Sequence, residues 1–210
     1  DGRIGLHLTE SSSTIQDCFI LYCSWGIGTQ STDTCSGIYK NNIIVSKNSF
    51  DAALYHFFGG SSITVGNLIL SDNSSTKGAY FESQKRVVFE NNLVSGFQHR
   101  NVSITSHTDS IFIQNNNSLN VQIASGFYFL NGDKVAVKNN IVKNTNIGIS
   151  GADAVKSDYN LFDNVNLPVN GGAFLGTNNI FADPMFVNDT IPTANGSYDF
   201  HLQKYSPAID

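Results

Sequence analysis

From Lys134 to Ile149 the chain reads K-V-A-V-K-N-N-I-V-K-N-T-N-I-G-I. Val135 and Val137 alternate with small or polar residues, as a half-buried strand requires. Asn139 and Asn140 interrupt the pattern, and Ile141 restarts it before a second polar corner ahead of Gly148 and Ile149. Strand, corner, strand, corner predicts one coil of a β-solenoid.

The phrase recurs. With Asn140 as the marker, its equivalents are Asn42, Asn67, Asn92, Asn116, Asn160 and Asn179, at successive steps of 25, 25, 24, 24, 20 and 19 residues through the series. Cys18, in I-Q-D-C-F-I, stands another 24 residues before Asn42 at the same expected corner. A near-constant period of this size over most of a chain means stacked repeats. The expected fold is all-β, about eight coils of 19–25 residues with little or no helix, in one domain spanning residues 1–210.

Stacking gives the asparagines a structural role before any functional one. A side-chain amide both donates and accepts, so amides repeated about 4.8 Å apart, the spacing of neighbouring strands, can hydrogen-bond in a continuous ladder. Asn42, Asn67, Asn92, Asn116, Asn140, Asn160 and Asn179 form the expected ladder. A second amide follows six residues later at Asn48, Asn73, Gln122, Asn146 and Asn166. Longer insertions are expected at Ala52 to Ser62, around His56-Phe57-Phe58-Gly59-Gly60, and at Gly96 to Thr108. Phe57 and Phe58 are expected to pack over the core of their own coil, with stacking on a sugar ring as the alternative.

Composition agrees with strands and corners. Asn is abundant at 25, Pro scarce at 4, Gly common at 18 and charged residues only 14% of the chain, while the strong helix formers are not enriched. A net charge of −5 with scattered Lys and Arg gives no phosphate-binding surface, so nucleic acid is not an expected partner. No apolar run reaches the roughly 20 residues of a membrane span, and no signal peptide is visible. Asp1 to Leu8 already reads as a strand of a coil and Asp210 falls in mid-phrase, so further residues are expected beyond both ends. Cys18, Cys23 and Cys35 read as small residues filling corners or core, or as a disulfide stapling the first coil plus a free thiol; no histidine pair beside them suggests zinc.

The last stretch carries a resemblance. Asn179-Ile180-Phe181-Ala182-Asp183-Pro184-Met185-Phe186, then Asp199-Phe200-His201-Leu202, then Ser206-Pro207-Ala208-Ile209-Asp210, resembles the closing phrase of the right-handed parallel β-helix repeat proteins secreted by bacteria and archaea, which share the pectin-lyase-like fold. The resemblance implies a single-stranded, right-handed parallel β-helix, a C-terminal closing segment at 183–210, and an extracellular or cell-surface location. It leaves activity open, because that superfamily spans lyases, hydrolases, epimerases, adhesins and surface-layer components.

Chemistry is sought by aligning columns on the markers. Seven residues before Asn92, Asn116, Asn140 and Asn160 stand Lys85, Asp109, Asp133 and Asp153. Stacked carboxylates repel one another unless a cation such as calcium relieves them. Asp109, Asp133 and Asp153 are therefore the candidate calcium ligands, and with Lys85 the candidate catalytic set of a polysaccharide lyase on an acidic polymer. Asp before a strand is also ordinary turn chemistry. Two residues before the markers, Lys40, Glu90, Gln114, Lys138 and Asp158 mix signs as a solvated face does. His99, Arg100 and His107 flank the middle coils and could supply a base and a cation. Sequons occur at Asn73, Asn101, Asn116, Asn188 and Asn195, of which Asn188 and Asn195, in a polar loop, are the glycosylation candidates. No paired-Asp and G-H-G set or D-P-H motif is present. The preferred reading is a structural, adhesive or self-assembling surface module, filament or sheath-like, with itself or a surface polysaccharide as partner; the calcium-assisted lyase is the alternative.

Overall fold

The computed structural model describes residues 4–10, 12–30, 35–48, 51–71, 74–131, 134–151, 155–190 and 198–209, with side chains throughout except at 4 and 106–108. Among the described residues eighteen strands join edge to edge in one parallel ladder, which winds as a β-solenoid with three faces. No helix occurs among the described residues.

The face leading into each marker stacks Ser13–Gln16, Gly37–Lys40, the later halves of Ala52–Val65, Lys77–Glu90 and Arg100–Gln114, then Val135–Lys138, Val155–Asp158 and Phe174–Leu175. The face leaving it stacks Phe19–Cys23, Ile43–Ser46, Leu68–Ser71, Leu93–Ser95, the starts of Asn117–Phe129, Ile141–Ser150 and Leu161–Asn170, and Ile180–Phe181. The third face runs through Ile4–Thr9, Trp25–Gln30 and the remaining halves of the long strands. It corrects one expectation. The stretches Ala52 to Ser62 and Gly96 to Thr108 are not insertions: most of each is third-face strand that runs on into the leading face.

The stack comprises about six turns, slightly fewer than the eight coils expected. The difference lies at the ends. The coils marked Asn42 to Asn160 carry strands on all three faces, whereas that of Asn179 is reduced to the two-residue strands Phe174–Leu175 and Ile180–Phe181, and that of Cys18 has no ladder amide.

Period-two alternation turns one column of each face inward. Ile15, Tyr39, Thr64, Phe89, Ile113 and Val137 stack in register on the leading face, Ile44, Ile69, Val94 and Val142 on the next, and Ile27, Leu54, Ala79, Val102, Phe127 and Ile149 on the third. All are buried. Each large aliphatic or phenyl group so removed from water contributes about 1.5–3 kcal/mol, which makes this triple stack the main source of stability.

The corner before each marker explains the recurrent Asn-Asn pair. Asp17, Asn41, Gly66, Asn91, Asn115, Asn139 and Tyr159 hold φ between 52° and 69°, the left-handed region that Gly and Asn enter most easily. The first Asn of the pair turns the chain and the second enters the ladder.

The closing segment lies along the outside of the helix. Phe186–Asn188 pairs antiparallel with Asp199–Leu202. Phe186, Phe200, Leu202 and Ala208 cover Leu119, Ile141 and Leu161, and Lys143 Nζ ties the segment down through Asp183 (3.1 Å) and Asp189 (2.8 Å) while also meeting Asp163 (2.8 Å). Burial opposes the charge on Lys143, but the bonds to these three carboxylates outweigh it and raise its pKa. Cys18 and Cys35 are free thiols. Cys18 ends the ladder by donating its backbone N–H to Asn42 Oδ1 (3.1 Å).

Candidate functional site

The markers form an unbroken interior ladder. Asn42 donates both its backbone N–H and Nδ2 to Asn67 Oδ1, each at 2.9 Å. Asn67 does the same to Asn92, Asn92 to Asn116, Asn116 to Asn140, Asn140 to Asn160 and Asn160 to Asn179, all at 2.9–3.1 Å. The second Nδ2 hydrogen reaches carbonyls of the leading face, as from Asn140 to Ile113 (3.1 Å) and Lys138 (2.9 Å). Six of the seven are at most 2% exposed, so the column holds the corner and offers nothing to a ligand.

A second ladder was not read from the sequence. Four residues after three of the markers, Asn164 Nδ2 donates to Asn144 Oδ1 (2.8 Å), Asn144 to Asn120 (3.0 Å) and Asn120 to Ser95 Oγ (3.1 Å), all three asparagines in left-handed backbone. The repeat at this offset was the available signal. Among the described residues at the six-residue offset, only Asn166 to Asn146 (3.1 Å) forms an exposed amide pair.

Of the acidic column, Lys85 and Asp109 are exposed and immediately precede the paired residues Arg86 and Ser110, where the register shifts. Asp133 and Asp153 lie outside the described residues. Among the described residues no three His, Cys, Asp or Glu side chains are grouped to hold a metal ion. His99 is exposed, and the side chain of His107 lies outside the described ones. Of the sequons, Asn101 and Asn116 are buried and bonded inside the helix. Asn188 sits on the partly exposed Phe186–Asn188 strand and accepts the N–H of Thr190 (3.1 Å). Asn73 and Asn195 lie outside the described residues.

An enzyme-like arrangement does occur, inside the core. Ser62 Oγ lies 3.0 Å and Tyr39 Oη 3.1 Å from His56 Nδ1, Ser62 donates to Gln84 Oε1 (2.8 Å), and Tyr39 donates to Thr29 (2.7 Å). These groups are 0–1% exposed, so no substrate reaches the pair. Burial lowers the pKa of His56 to about 4 and holds it neutral, with Nε2 unbonded.

The third face carries the side chains that point to recognition. Its next column reads Gly28, Tyr55, Tyr80, Ser103 and Tyr128 in register from coil to coil, with Tyr80 and Tyr128 half-buried and Tyr55 and Ser103 buried. Tyr55 meets Trp25 edge-on at 5.1 Å and Phe57 at 5.0 Å, and Phe57 meets Tyr80 at 5.3 Å. Gly28 leaves room for the Tyr55 ring, since a Cβ there would fall 2.4 Å from Cε1. Two cations lie on the same face: Lys77 Nζ is 4.1 Å from the Tyr80 ring centre and the Arg100 guanidinium 3.5 Å from that of Tyr128. Phe57 is half-buried, packed on the buried Tyr55 of its own coil and on Tyr80 of the next, while Phe58 is 43% exposed. The sequence hid this aromatic row because only alternate positions of the third face carry rings, and they vary between coils.

No protein-family model, curated protein or solved structure matches the chain.

Proposed function

We propose that this chain is an extracellular or cell-surface β-helix module that adheres to an acidic polysaccharide along its third face. The observation that carries the reading is the aromatic row with Lys77 and Arg100 laid over its rings. Rings offer flat apolar area to the faces of sugars, and the Arg100 guanidinium, pinned by stacking, offers charge to a carboxylate without first losing much rotamer freedom, while Lys77 is shared with Asp51 (3.4 Å). The parallel rungs, about 4.8 Å apart, present these groups along a line, which suits an extended polymer. The closing phrase shared with secreted β-helix proteins supports the location. No specific observation favours the lyase alternative.

Affinity electrophoresis through polygalacturonate, alginate and an uncharged control gel tests it. Retardation in an acidic gel, weakened by salt and lost in Arg100→Met/Tyr128→Ala, is the expected result. Equal mobility in all three gels would remove the reading.

A further inference from the structure

A second surface, on the far side of the marker corner from the third face, has different chemistry. A groove of about 490 Å³ lies between the row of corner residues and the closing segment. Its polar side is made by Asn115, Asn117, Asn139 and Asn178, its floor by Ile141, Leu161 and Ile180, and its far wall by Leu202, Pro207 and Ala208. None of its lining side chains is charged. Asn178 is committed to Asp158 (Nδ2 to Oδ2, 3.0 Å), but the side-chain amides of the half-buried Asn117 and the exposed Asn139 bond to nothing among the described residues.

Tyr159 is the independent observation. It lines the groove at a position that is Asp, Asn or Gly in the six preceding coils, all of them, like it, at positive φ. A bulky residue is disfavoured there, and Tyr159 does not offset that cost by packing, since it is 56% exposed. Strain kept at an exposed position beside a groove points to a task for the ring.

We propose that this groove binds a neutral carbohydrate, with Tyr159 stacking on a sugar ring and the amides of Asn117 and Asn139 bonding its hydroxyls. The chemistry selects this class. A carboxamide presents a donor and an acceptor side by side, as adjacent hydroxyls do. With no lining cation an anionic polymer finds no counter-charge, and an apolar ligand would leave the free amides desolvated and unpaired. The volume falls within the range of small-ligand sites. The inference goes beyond the third-face reading: the site, the face and the charge of the ligand all differ, and neither depends on the other.

The test is titration of the isotope-labelled protein with cellohexaose, xylohexaose, mannohexaose and maltohexaose, observing the side-chain amide resonances of Asn117 and Asn139. At least one hexasaccharide is expected to shift both. Two variants borrow residues the fold already uses in the same columns: Tyr159→Asn matches the corner residue of neighbouring coils, and Asn117→Leu matches Leu161 in register above it. Each is expected to weaken binding about tenfold, the worth of one good stacking or polar contact. Arg100→Met, which tests the third face, should leave hexasaccharide binding unchanged. If none of the four saccharides shifts the amides, or if binding survives both variants undiminished, the proposal is wrong. It is equally overturned if an uncharged extended peptide shifts the same resonances while the saccharides do not.

Discussion

Two columns of asparagine run side by side up this helix, and one residue separates them. The inner column, Asn42 to Asn179, is bonded at every amide and almost fully buried. The outer column, one residue earlier, turns the corner with Asn41, Asn91, Asn115 and Asn139 but elsewhere accepts Asp17, Gly66 and Tyr159. The same side chain serves for its hydrogen bonds in one column and for its tolerance of left-handed backbone in the other. Only the outer column leaves amides and rings to solvent, so only it can vary and recognise.

Breaking the inner column should have the largest effect. Asn140→Leu removes the acceptor used by the backbone N–H and Nδ2 of Asn116 and the donor to Ile113 and Lys138. Two buried donors left without partners cost about 1–3 kcal/mol each, so a loss of about 2–6 kcal/mol is expected, read as a lower urea midpoint. Asn139→Ala, one residue away, loses no side-chain hydrogen bond among the described residues and should cost about 1 kcal/mol, the strain of Ala at φ 55°. Similar losses at the two positions would erase the distinction between the columns.

Legibility follows the same division. The ladder could be read because hydrogen bonding between identical groups demands the identical residue in every coil. Parallel strands and the absence of helix followed from its period. The third face was mistaken for insertions because its inward column, Leu54, Ala79, Val102 and Phe127, asks only for apolar residues of varied size, and the column next to it repeats no motif. The groove was not legible either. It exists because the closing segment folds back over Ile141 and Leu161 and is pinned by Lys143, contacts between residues far apart in sequence, such as the 46 positions from Lys143 to Asp189.

Acid should act on the interior and spare the outer amides, which do not titrate. His56 is held neutral by burial, its pKa lowered to about 4 from 6.5. Between those values the unfolded chain binds a proton that the folded chain refuses, so stability is complete above pH 6.5 and falls as the pH drops toward 4. The loss from this group totals about 3 kcal/mol, at about 1.4 kcal/mol per pH unit. His56→Phe puts in this position the residue that Phe81 supplies in register on the next coil and removes the titrating group. Urea midpoints measured from pH 7 to pH 4 should therefore decline less steeply in the variant. An unchanged slope would mean that other groups set the acid response.

The smallest effect has the opposite sign. Tyr159 holds φ 56° while more than half exposed, so its ring offers little burial against the strain of its backbone. Asn at that position keeps the corner and accepts the left-handed region more readily, as it does at Asn91, Asn115 and Asn139 in the coils before. Tyr159→Asn should thus stabilise the protein by up to about 1 kcal/mol, raising the thermal midpoint by about 2–4 °C for a chain of this size. A gain in stability with a loss of saccharide binding would identify the tyrosine as a residue kept for recognition at the expense of the fold. A drop in the midpoint would instead make the ring part of the packing, and the outer column would then be structural at this coil as the inner one is throughout.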